Sequence, residues 1–264
     1  MSKELDIAVQ AAHAGGAVCL KYFEQDLDIR YKKAHDLVSN ADIEAEEAIV
    51  SLIKNAFPGH AFLGEESHKD SLSSENVWCI DPLDGTNNFA HAVPHFAVSV
   101  AYYERGVAQA GAVFDPLRKE LFTAENGKGA YLNGRAIHVS SAAALNQALA
   151  VTGFYYDRGE MMEASLRAIR ELFQQEIHGI RRFGAASLDL CYVAAGRFDL
   201  YFEYALQPWD FSAGALIVQE AGGTVTTASG VSLPLDRTSI LATNTLLHPY
   251  ALSCIKKHAL ENNP

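Results

Sequence analysis

Apolar positions recur at helical spacing in two stretches near the start of the chain. One stripe spans positions 5–23, and a second spans positions 43–56 and stops at Pro58-Gly59. A period of 3.6 residues places such positions on one face of a helix, and a Pro-Gly pair favours its end. The pattern therefore predicts two amphipathic helices before the first strand.

The middle of the chain instead shows short apolar runs separated by turn residues. Runs at 96–103 and 107–114 flank Glu104-Arg105-Gly106, and Asn126-Gly127 and Asn133-Gly134 mark further tight turns. Such spacing is typical of antiparallel hairpins. In the second half, helical patterns at about 160–173, 185–195 and 211–221 alternate with strand patterns. We therefore expect a layered α/β (α+β) chain whose first half is rich in antiparallel sheet.

Length and charge narrow the range of functions. The chain has 264 residues, 49% of them hydrophobic, so it can bury a large core. We expect one domain over residues 1–264, built from two merged lobes of about 1–140 and 141–264. The formal net charge of −11 makes nucleic acid or anionic lipid an unlikely general partner, because both attract clustered positive charge. A small phosphorylated substrate stays compatible, since bound cations would meet its charge.

The cysteines and the N-terminus indicate a compartment. Four cysteines are scattered among apolar neighbours without Cys-x-x-Cys spacing, which favours buried free thiols in a reducing environment. The first residues are charged and helical rather than a long apolar core, and no run approaches the ~20 apolar residues that cross a membrane. We expect a cytoplasmic protein without a membrane partner.

The most informative motif runs from Trp78 through Asp81-Pro82-Leu83-Asp84-Gly85-Thr86 to Phe89. An apolar strand leads into two carboxylates, then a glycine and a hydroxyl. Carboxylate oxygens suit Mg²⁺, which is held by few protein ligands together with waters and substrate phosphate. Gly85 permits close approach of an anion to backbone N–H groups. The alternative is an Asp-Gly turn capped by Thr86, with both acids facing solvent.

Two further segments carry acids at the ends of regular elements. Gly64-Glu65-Glu66-Ser67 closes a short apolar strand, and ligand crevices of layered α/β sheets favour the C-terminal ends of strands. Asp210, in Pro208-Trp209-Asp210, lies in the first turn of an apolar helix that runs to Glu220-Ala221-Gly222-Gly223. The alternative for Asp210 is an ordinary N-terminal helix acid, which the helix dipole stabilises.

These three motifs, in this order and spacing, resemble the inositol monophosphatase family. The likeness extends from the region of Lys32 to the region of Asn244 and is closest to the bacterial branch, through Ile180-Arg181-Arg182-Phe183-Gly184 and the residues up to Arg197. The resemblance implies an αβαβα sandwich. It also implies a Mg²⁺-dependent phosphoric monoester hydrolase that uses two or three ions and attacks phosphorus directly with water.

The resemblance assigns roles to particular positions. It implies that Glu65, Asp81 and the carbonyl of Leu83 hold one Mg²⁺, that Asp81, Asp84 and Asp210 hold a second, and that a weaker third lies near Glu65. Thr86 and Glu65 resemble the pair that orients the water, with Asp42 behind Thr86. Taken alone, Asp42 is equally a first-turn helix acid. Lys32 or Lys33 matches a lysine of the family, in a register that stays open.

Substrate contacts are implied at a second set of residues. Asp84, Gly85, Thr86 and Asp210 would face the phosphate. Glu203, near the end of a strand pattern at 198–204, would accept hydrogen bonds from ring hydroxyls, together with backbone at Gly184-Ala185-Ala186. The alternative is that Glu203 is an ordinary strand-end acid. Position 185 is alanine, so a hydroxyl contact that relatives make there is missing.

The resulting expectation is a lithium-sensitive, homodimeric myo-inositol monophosphatase acting on a small phosphorylated polyol. Other phosphatases with such a metal core stay open, namely a fructose-1,6-bisphosphatase, a histidinol-phosphatase or a 3'-phosphoadenosine nucleotidase. A different class also stays open. Arg181, Arg182 and Arg197 form a small basic spot that would suit a regulatory contact in RNA metabolism.

Overall fold

Two helices at the N-terminus form the first layer of the fold. In this computed structural model, residues 1–23, 30–33, 36–38, 40–68, 74–154 and 156–260 are described, with backbone only for 30–33 and 36–38. Helix α1 is Lys3–Tyr22 and helix α2 is Asn40–Ala56. The Ser2 hydroxyl accepts the Leu5 N–H at 3.2 Å and caps α1. Both predicted helices are confirmed.

A seven-stranded sheet forms the second layer. Strands β1 (Arg30–Lys33) and β2 (Asp36–Val38) form a separate hairpin between α1 and α2. The large sheet has the order β3-β4-β5-β6-β7-β8-β9, and only β3 and β4 are parallel neighbours. Its strands are β3 (Ala61–Gly64), β4 (Asn76–Asp84), β5 (Ala97–Glu104), β6 (Val107–Asp115), β7 (Glu120–Glu125), β8 (Ala130–Leu132) and β9 (Arg135–Ile137).

The predicted hairpins are present, with tighter turns than expected. Glu104 pairs with Val107, so the turn between β5 and β6 contains only Arg105 and Gly106, at φ values of 51° and 76°. Asn133-Gly134 makes the same kind of two-residue turn between β8 and β9. Positive φ at both positions matches the twist of antiparallel strands. A short helix, α3 (Thr86–Ala90), follows β4.

The second half alternates helices with a five-stranded sheet of order β11-β10-β12-β14-β13. Strand β10 is parallel to both β11 and β12, whereas β14 is antiparallel to β12 and β13. The elements are β10 (Leu149–Thr152), α4 (Glu160–Gln174), β11 (Gly179–Arg181), α5 (Ala186–Ala194), β12 (Leu200–Leu206), α6 (Pro208–Glu220), β13 (Gly223–Thr226), β14 (Thr238–Asn244) and α7 (His248–Ile255).

The layers follow from which side chains share a core. Helices α1 and α2 cover one face of the large sheet with residues such as Ile49 and Ile53. Helices α5 and α6 fill the space between the two sheets, and α4 and α7 cover the outer face of the small sheet. The predicted αβαβα sandwich is confirmed.

The state of the cysteines and the character of the helices can be compared with the sequence-based expectations. All four cysteines are free and buried, as predicted, and burial raises the pKa of the Cys79 thiol to about 12. Within the described part of the chain, no helix combines the length and the apolar character needed to span a bilayer.

Candidate metal and phosphate site

An irregularity in β4 brings the two acids of the central motif to one face of the sheet. Asp81 pairs with Ser99 on β5, and Asp84 pairs with Ala97, so three steps along β4 oppose two along β5. In a regular strand, residues three apart point to opposite faces. The extra residue is a β-bulge, and it returns Asp84 to the face of Asp81. Pro82 falls inside the bulge, where its missing N–H costs no ladder bond.

Asp84 is anchored to the start of α5. Its Oδ1 accepts the Ala186 N–H at 3.2 Å, and its Oδ2 accepts both the Ser187 N–H, at 2.7 Å, and the Ser187 hydroxyl. Asp84 and Ser187 lie 103 positions apart in the chain. This contact ties the large sheet to the helix layer, and it places Ala186, a predicted substrate residue, beside the central motif.

Asp210 and Asp81 are oriented by backbone close to them in sequence. Oδ2 of Asp210 accepts the Gln207 N–H at 2.7 Å and so caps the start of α6. Oδ1 of Asp81 accepts the Leu83 N–H at 3.0 Å within the bulge. Asp210 is thus a first-turn helix acid, as the alternative interpretation stated, and it also belongs to the cluster of acids.

The acids of the three motifs influence one another's charge. Burial, followed by the charges of Glu65, Asp84 and Asp210, raises the pKa of Asp81 well above its usual range. Burial, then Glu65 and Asp84, does the same for Asp210. Burial raises the pKa of Asp84 to about 6, against the hydrogen bonds from Ser187 and Ala186. Glu65, Asp81, Asp84 and Asp210 therefore lie within electrostatic range of one another.

This donor set fits a hard divalent cation. Mutual repulsion among buried carboxylates is relieved when a cation lies between them. In the described ranges, no three His, Cys, Asp or Glu side chains are placed closely enough to hold a metal ion by themselves. Mg²⁺ takes few protein ligands and keeps several waters, so a complete protein cage is not what it requires.

Thr86 and Asp42 meet beside the bulge. The Thr86 hydroxyl lies 3.1 Å from Asp42 Oδ1 and 3.0 Å from the Leu83 carbonyl oxygen, and it has one proton to donate. Asp42 is fully buried in the first turn of α2. Asp42 is thus a buried acid in hydrogen-bond contact with Thr86 rather than a helix acid facing solvent.

Gly85 lies against the predicted substrate loop. Its φ is 99°, and a Cβ there would lie 3.1 Å from the His95 carbonyl oxygen and 3.4 Å from both Ala185 Cβ and the Gly184 carbonyl oxygen. Asn88 Nδ2 donates to the carbonyls of His95, at 2.9 Å, and of Phe183, at 2.8 Å. Ala185 is fully buried, so its methyl offers no surface for a ligand.

Glu203 lies inside β12, buried, rather than at an exposed strand end. The Tyr201 hydroxyl donates to its Oε2 at 2.8 Å. Burial raises the pKa of Glu203 to about 7, while the Tyr201 hydrogen bond and the Arg182 charge oppose that rise and the Asp84 charge adds to it. Glu203 is therefore within electrostatic range of the metal motif.

Several residues around the site were not predicted. Ser187 and Tyr201 hold predicted acids by hydrogen bonds, and Asn88 holds the loop before Gly184. Asp189 is buried in α5, and its Oδ1 has no hydrogen-bond partner among the residues that the structure describes. A hydroxyl or carboxyl inside an apolar helix or strand is the signal that marks Ser187, Tyr201 and Asp189 in the sequence.

Some residues of interest lie outside the described structure. Lys32 and Lys33 belong to β1, whose side chains fall outside the described part, so the lysine register stays open. Tyr155 and residues 261–264 also lie outside it.

Comparison with known proteins identifies the family. The model of the inositol monophosphatase family matches residues 1–260. This chain belongs to the inositol monophosphatase family. A family member with this fold is a phosphatase in the general sense, and the acid cluster described above lies in the three motifs that carried the resemblance.

Relatives of this inositol monophosphatase family member span nearly its whole length. A protein named Nus factor SuhB from Pseudomonas aeruginosa is 43% identical over 265 residues, covering 98% of this chain and 97% of that protein. Phosphatase IMPL1 of Arabidopsis thaliana, a chloroplastic protein, is 42% identical over 259 residues, 95% of this chain and 69% of its own length. The inositol monophosphatase structure from Anabaena superposes with a TM-score of 0.86 at 38% identity, covering 96% of this chain and 95% of that one.

The relatives do not support the expectation that nucleic acid is excluded as a partner. The protein from Pseudomonas aeruginosa carries the name of a Nus factor rather than of a phosphatase. The net charge of −11 describes the whole molecule and does not determine the charge of a local patch.

Proposed function

We propose that this chain hydrolyses myo-inositol monophosphates to myo-inositol and phosphate in a Mg²⁺-dependent, lithium-sensitive reaction. The observation that carries the proposal is the charge interaction among Glu65, Asp81, Asp84 and Asp210. Burial and the neighbouring carboxylates raise the pKa values of Asp81 and Asp210, and burial raises that of Asp84. When bound, Mg²⁺ would neutralise charge on the phosphoryl group and make the attacking water more acidic.

The proposed roles divide the acids into two overlapping sets. Glu65, Asp81 and the Leu83 carbonyl would hold one ion, and Asp81, Asp84 and Asp210 the other. A third ion would lie near Glu65. Asp81 belongs to both sets, which suits its place at the start of the bulge, between β3 and the helix layer.

Thr86 and Asp42 would orient the water that attacks phosphorus, together with Glu65. The Thr86 proton can bond to Asp42 or to the Leu83 carbonyl. When the proton bonds to Asp42, the Thr86 oxygen is left free to accept from the water. The pair is therefore a hydroxyl and carboxylate relay fixed in place by α2.

Glu203 and the loop at Gly184-Ala185-Ala186 would recognise the alcohol part of the substrate. A buried carboxylate held by Tyr201 can accept from two hydroxyls of a ring, which selects a polyol over an apolar ester. The methyl of Ala185 removes one hydroxyl contact. We therefore expect a broader choice of polyol phosphates than a threonine or serine would permit.

A phosphate-release panel tests this function. The substrates are inositol 1-phosphate, fructose 1,6-bisphosphate, histidinol phosphate and 3'-phosphoadenosine 5'-phosphate, each with Mg²⁺ and with or without Li⁺. We expect the fastest release from inositol 1-phosphate and inhibition by Li⁺. Absence of release from inositol 1-phosphate would remove the first choice, and fast release from another member of the panel would replace it.

A second candidate function is regulatory binding in RNA metabolism, which the name of the Pseudomonas aeruginosa relative favours. The three arginines of the basic spot are exposed, but the charge of Arg197 is paired with Glu120, so the spot is weaker than its sequence suggests. Asp84→Asn separates the two functions. It removes a metal acid and should abolish turnover, while a binding role that needs only the fold should persist.

We further propose a cytoplasmic homodimer. Members of this family are commonly dimeric, and this chain shares their fold over residues 1–260. Size-exclusion chromatography with light scattering measures the mass in solution. A value near twice 28.7 kDa is expected, and a value near 28.7 kDa would contradict the proposal.

A further inference from the structure

A buried carboxylate on α2 accepts hydrogen bonds from the loop that carries Glu65. Glu46 is 1% exposed. Its Oε2 accepts the Glu66 N–H at 2.9 Å, its Oε1 accepts the Ser67 N–H at 2.8 Å, and the His68 ring nitrogen Nδ1 lies 2.9 Å from Oε1. Three consecutive residues after Glu65 therefore converge on one side chain.

The residue before Glu65 is held by the same group. A Cβ on Gly64 would lie 2.5 Å from Glu46 Oε2, so the carboxylate packs directly against the glycine backbone. The Gly64 N–H also donates to the His68 carbonyl at 2.6 Å and closes the loop. Glu65 thus lies between two residues that both contact Glu46, and its backbone has little freedom.

Burying the Glu46 carboxylate costs free energy that is not needed merely to hold a loop in place. Burying a carboxylate is unfavourable unless several donors satisfy it, and backbone N–H groups are strong donors to a charged acceptor. Residues 66–68 are half-buried or exposed, so solvent could satisfy their N–H groups without Glu46. We therefore attribute the burial of Glu46 to a role in fixing the backbone on either side of Glu65.

Helix α2 presents a second acid one turn earlier on the same face. Asp42 and Glu46 are four positions apart, a spacing that places both on one side of a helix. Asp42 contacts the Thr86 hydroxyl, and Glu46 contacts the loop of Glu65. One rigid helix face therefore reaches both members of the pair that would orient the attacking water.

We propose that Glu46 is a positioning residue that fixes Glu65 for cation binding through the backbone of residues 64–68. The proposal rests on the proposed function, because it takes Glu65 to be a cation ligand. Removing a residue that orients a metal ligand typically weakens metal affinity by roughly 10- to 100-fold. The effect should therefore appear in affinity for the cation as well as in the order of the loop.

Glu46→Gln tests this role, with Glu47→Gln as its matched control. Glutamine keeps the size of Glu46 but places an NH₂ group against a backbone N–H, so one of the two hydrogen bonds is lost. Glu47 is the next residue of α2 and is exposed, so its substitution changes the charge equally without touching the loop. Gly64→Ala is a second variant, because its methyl would displace the Glu46 carboxylate.

Two measurements on the full chain decide the outcome. Hydrogen exchange of the Glu66 and Ser67 amides reports the loop, and the Mg²⁺ concentration that half-saturates the thermal shift reports the cation. We expect Glu46→Gln to speed exchange by ~10-fold or more and to raise the Mg²⁺ midpoint roughly 10- to 100-fold. Gly64→Ala should act in the same direction, and Glu47→Gln should behave like the wild type.

The failures of the two proposals can be told apart. Unchanged amide exchange in Glu46→Gln, or a faster loop with an unchanged Mg²⁺ midpoint, would overturn the role of Glu46. An equal rise in the midpoint for Glu47→Gln would also overturn it, since charge alone would then explain the effect. A wild-type chain without any Mg²⁺ response would instead contradict the proposed function, whatever the exchange data show.

Discussion

Single polar residues set the charge state of the acids at this site. Burial raises the pKa of Glu203, and the hydrogen bond that the Tyr201 hydroxyl donates opposes this rise, which leaves the pKa at about 7. At neutral pH, Glu203 is thus balanced between a carboxylate, which only accepts hydrogen bonds, and a carboxyl, which also donates one. Because Tyr201 shifts the protonation of Glu203, it also changes how many hydrogen bonds Glu203 can accept from substrate hydroxyls.

Tyr201→Phe should raise the KM for inositol 1-phosphate with little change in kcat. Below a pH of about 7, Glu203 is protonated and accepts fewer hydrogen bonds, so the wild-type KM should fall as pH rises through that value. Loss of the hydroxyl removes an interaction that lowers the pKa, so the midpoint should move to higher pH. KM at pH 7 should rise about 5- to 10-fold, measured by steady-state kinetics from pH 6 to 8.

Tyr204→Phe is the control, because Tyr204 lies in the same strand and donates to Ile255 instead. Its pH midpoint should match the wild type. A Tyr201→Phe midpoint that moves to lower pH, or stays in place, would show that Glu203 does not control KM.

At the scale of elements, α6 is held between two surfaces that it approaches closely. A Cβ on Gly214 would lie 2.7 Å from Leu190 Cβ on α5, and a Cβ on Gly111 of β6 would lie 3.2 Å from the Ala213 Cα. Glycines on both contacts let the helix sit deep between its neighbours. Because Asp210 lies in the first turn of α6, this packing also sets the distance between Asp210 and the acids of β4.

Gly214→Ala should lower the free energy of unfolding. Alanine favours a helix over glycine by about 1 kcal/mol, but the added methyl meets a Cβ atom that cannot rotate away. Overpacking of this kind costs about 1–3 kcal/mol, so the net change should be destabilising in urea titrations. Gly59→Ala, where nothing lies within 4 Å, should change stability by less than about 0.5 kcal/mol. Equal stability of the two variants would contradict this account of the packing.

The elements also show what sequence could and could not supply. The α1 and α2 stripes, a turn at Glu104-Arg105-Gly106 and the acids of the central motif depend on neighbours in the chain, and these were predicted, although the turn is one residue shorter. The bulge in β4 was not, because it is defined only by pairing with β5. Ser187 and Asn88 were missed for a similar reason, since their partners lie 103 and 95 positions away.

At the scale of the whole molecule, the site draws on four of the five layers. Helix α2 supplies Asp42, the large sheet supplies Asp81 and Asp84, the central helices supply Asp210, and the small sheet supplies Glu203. The acids with raised pKa values therefore affect the stability of the assembled fold. An acid whose pKa rises on folding stabilises the fold at low pH, and this contribution is lost as pH rises through the folded pKa.

The rise in Tm that Mg²⁺ produces should grow between pH 5 and pH 8. Asp84 and Glu203, with pKa values of about 6 and about 7, ionise over this window, and the added charge is what a cation relieves. Buried His95, whose pKa burial lowers to about 4, acts in the opposite direction, but it titrates with and without Mg²⁺ and cancels in the difference. Differential scanning calorimetry in Mg²⁺ and in EDTA measures the effect.

Asp84→Asn should flatten the pH dependence of the Mg²⁺ effect, because it removes one of the ionising groups. Ser165→Ala is a suitable control, since that hydroxyl bonds to Met161 in α4, on the outer side of the small sheet. A Mg²⁺ effect in the wild type that is constant across the pH range would rule out these acids as its origin.

The hydrogen bond between Asp84 and Ser187 can form only late in the synthesis of the chain. Strands β4 to β9 join neighbours along the chain, so this meander can pair as soon as it leaves the ribosome. Ser187 is made 103 residues after Asp84, and until then Asp81 and Asp84 can remain hydrated at an open sheet face. The carboxylates of Asp81 and Asp84 can therefore be covered by α5 and α6 only after the large sheet has been synthesised.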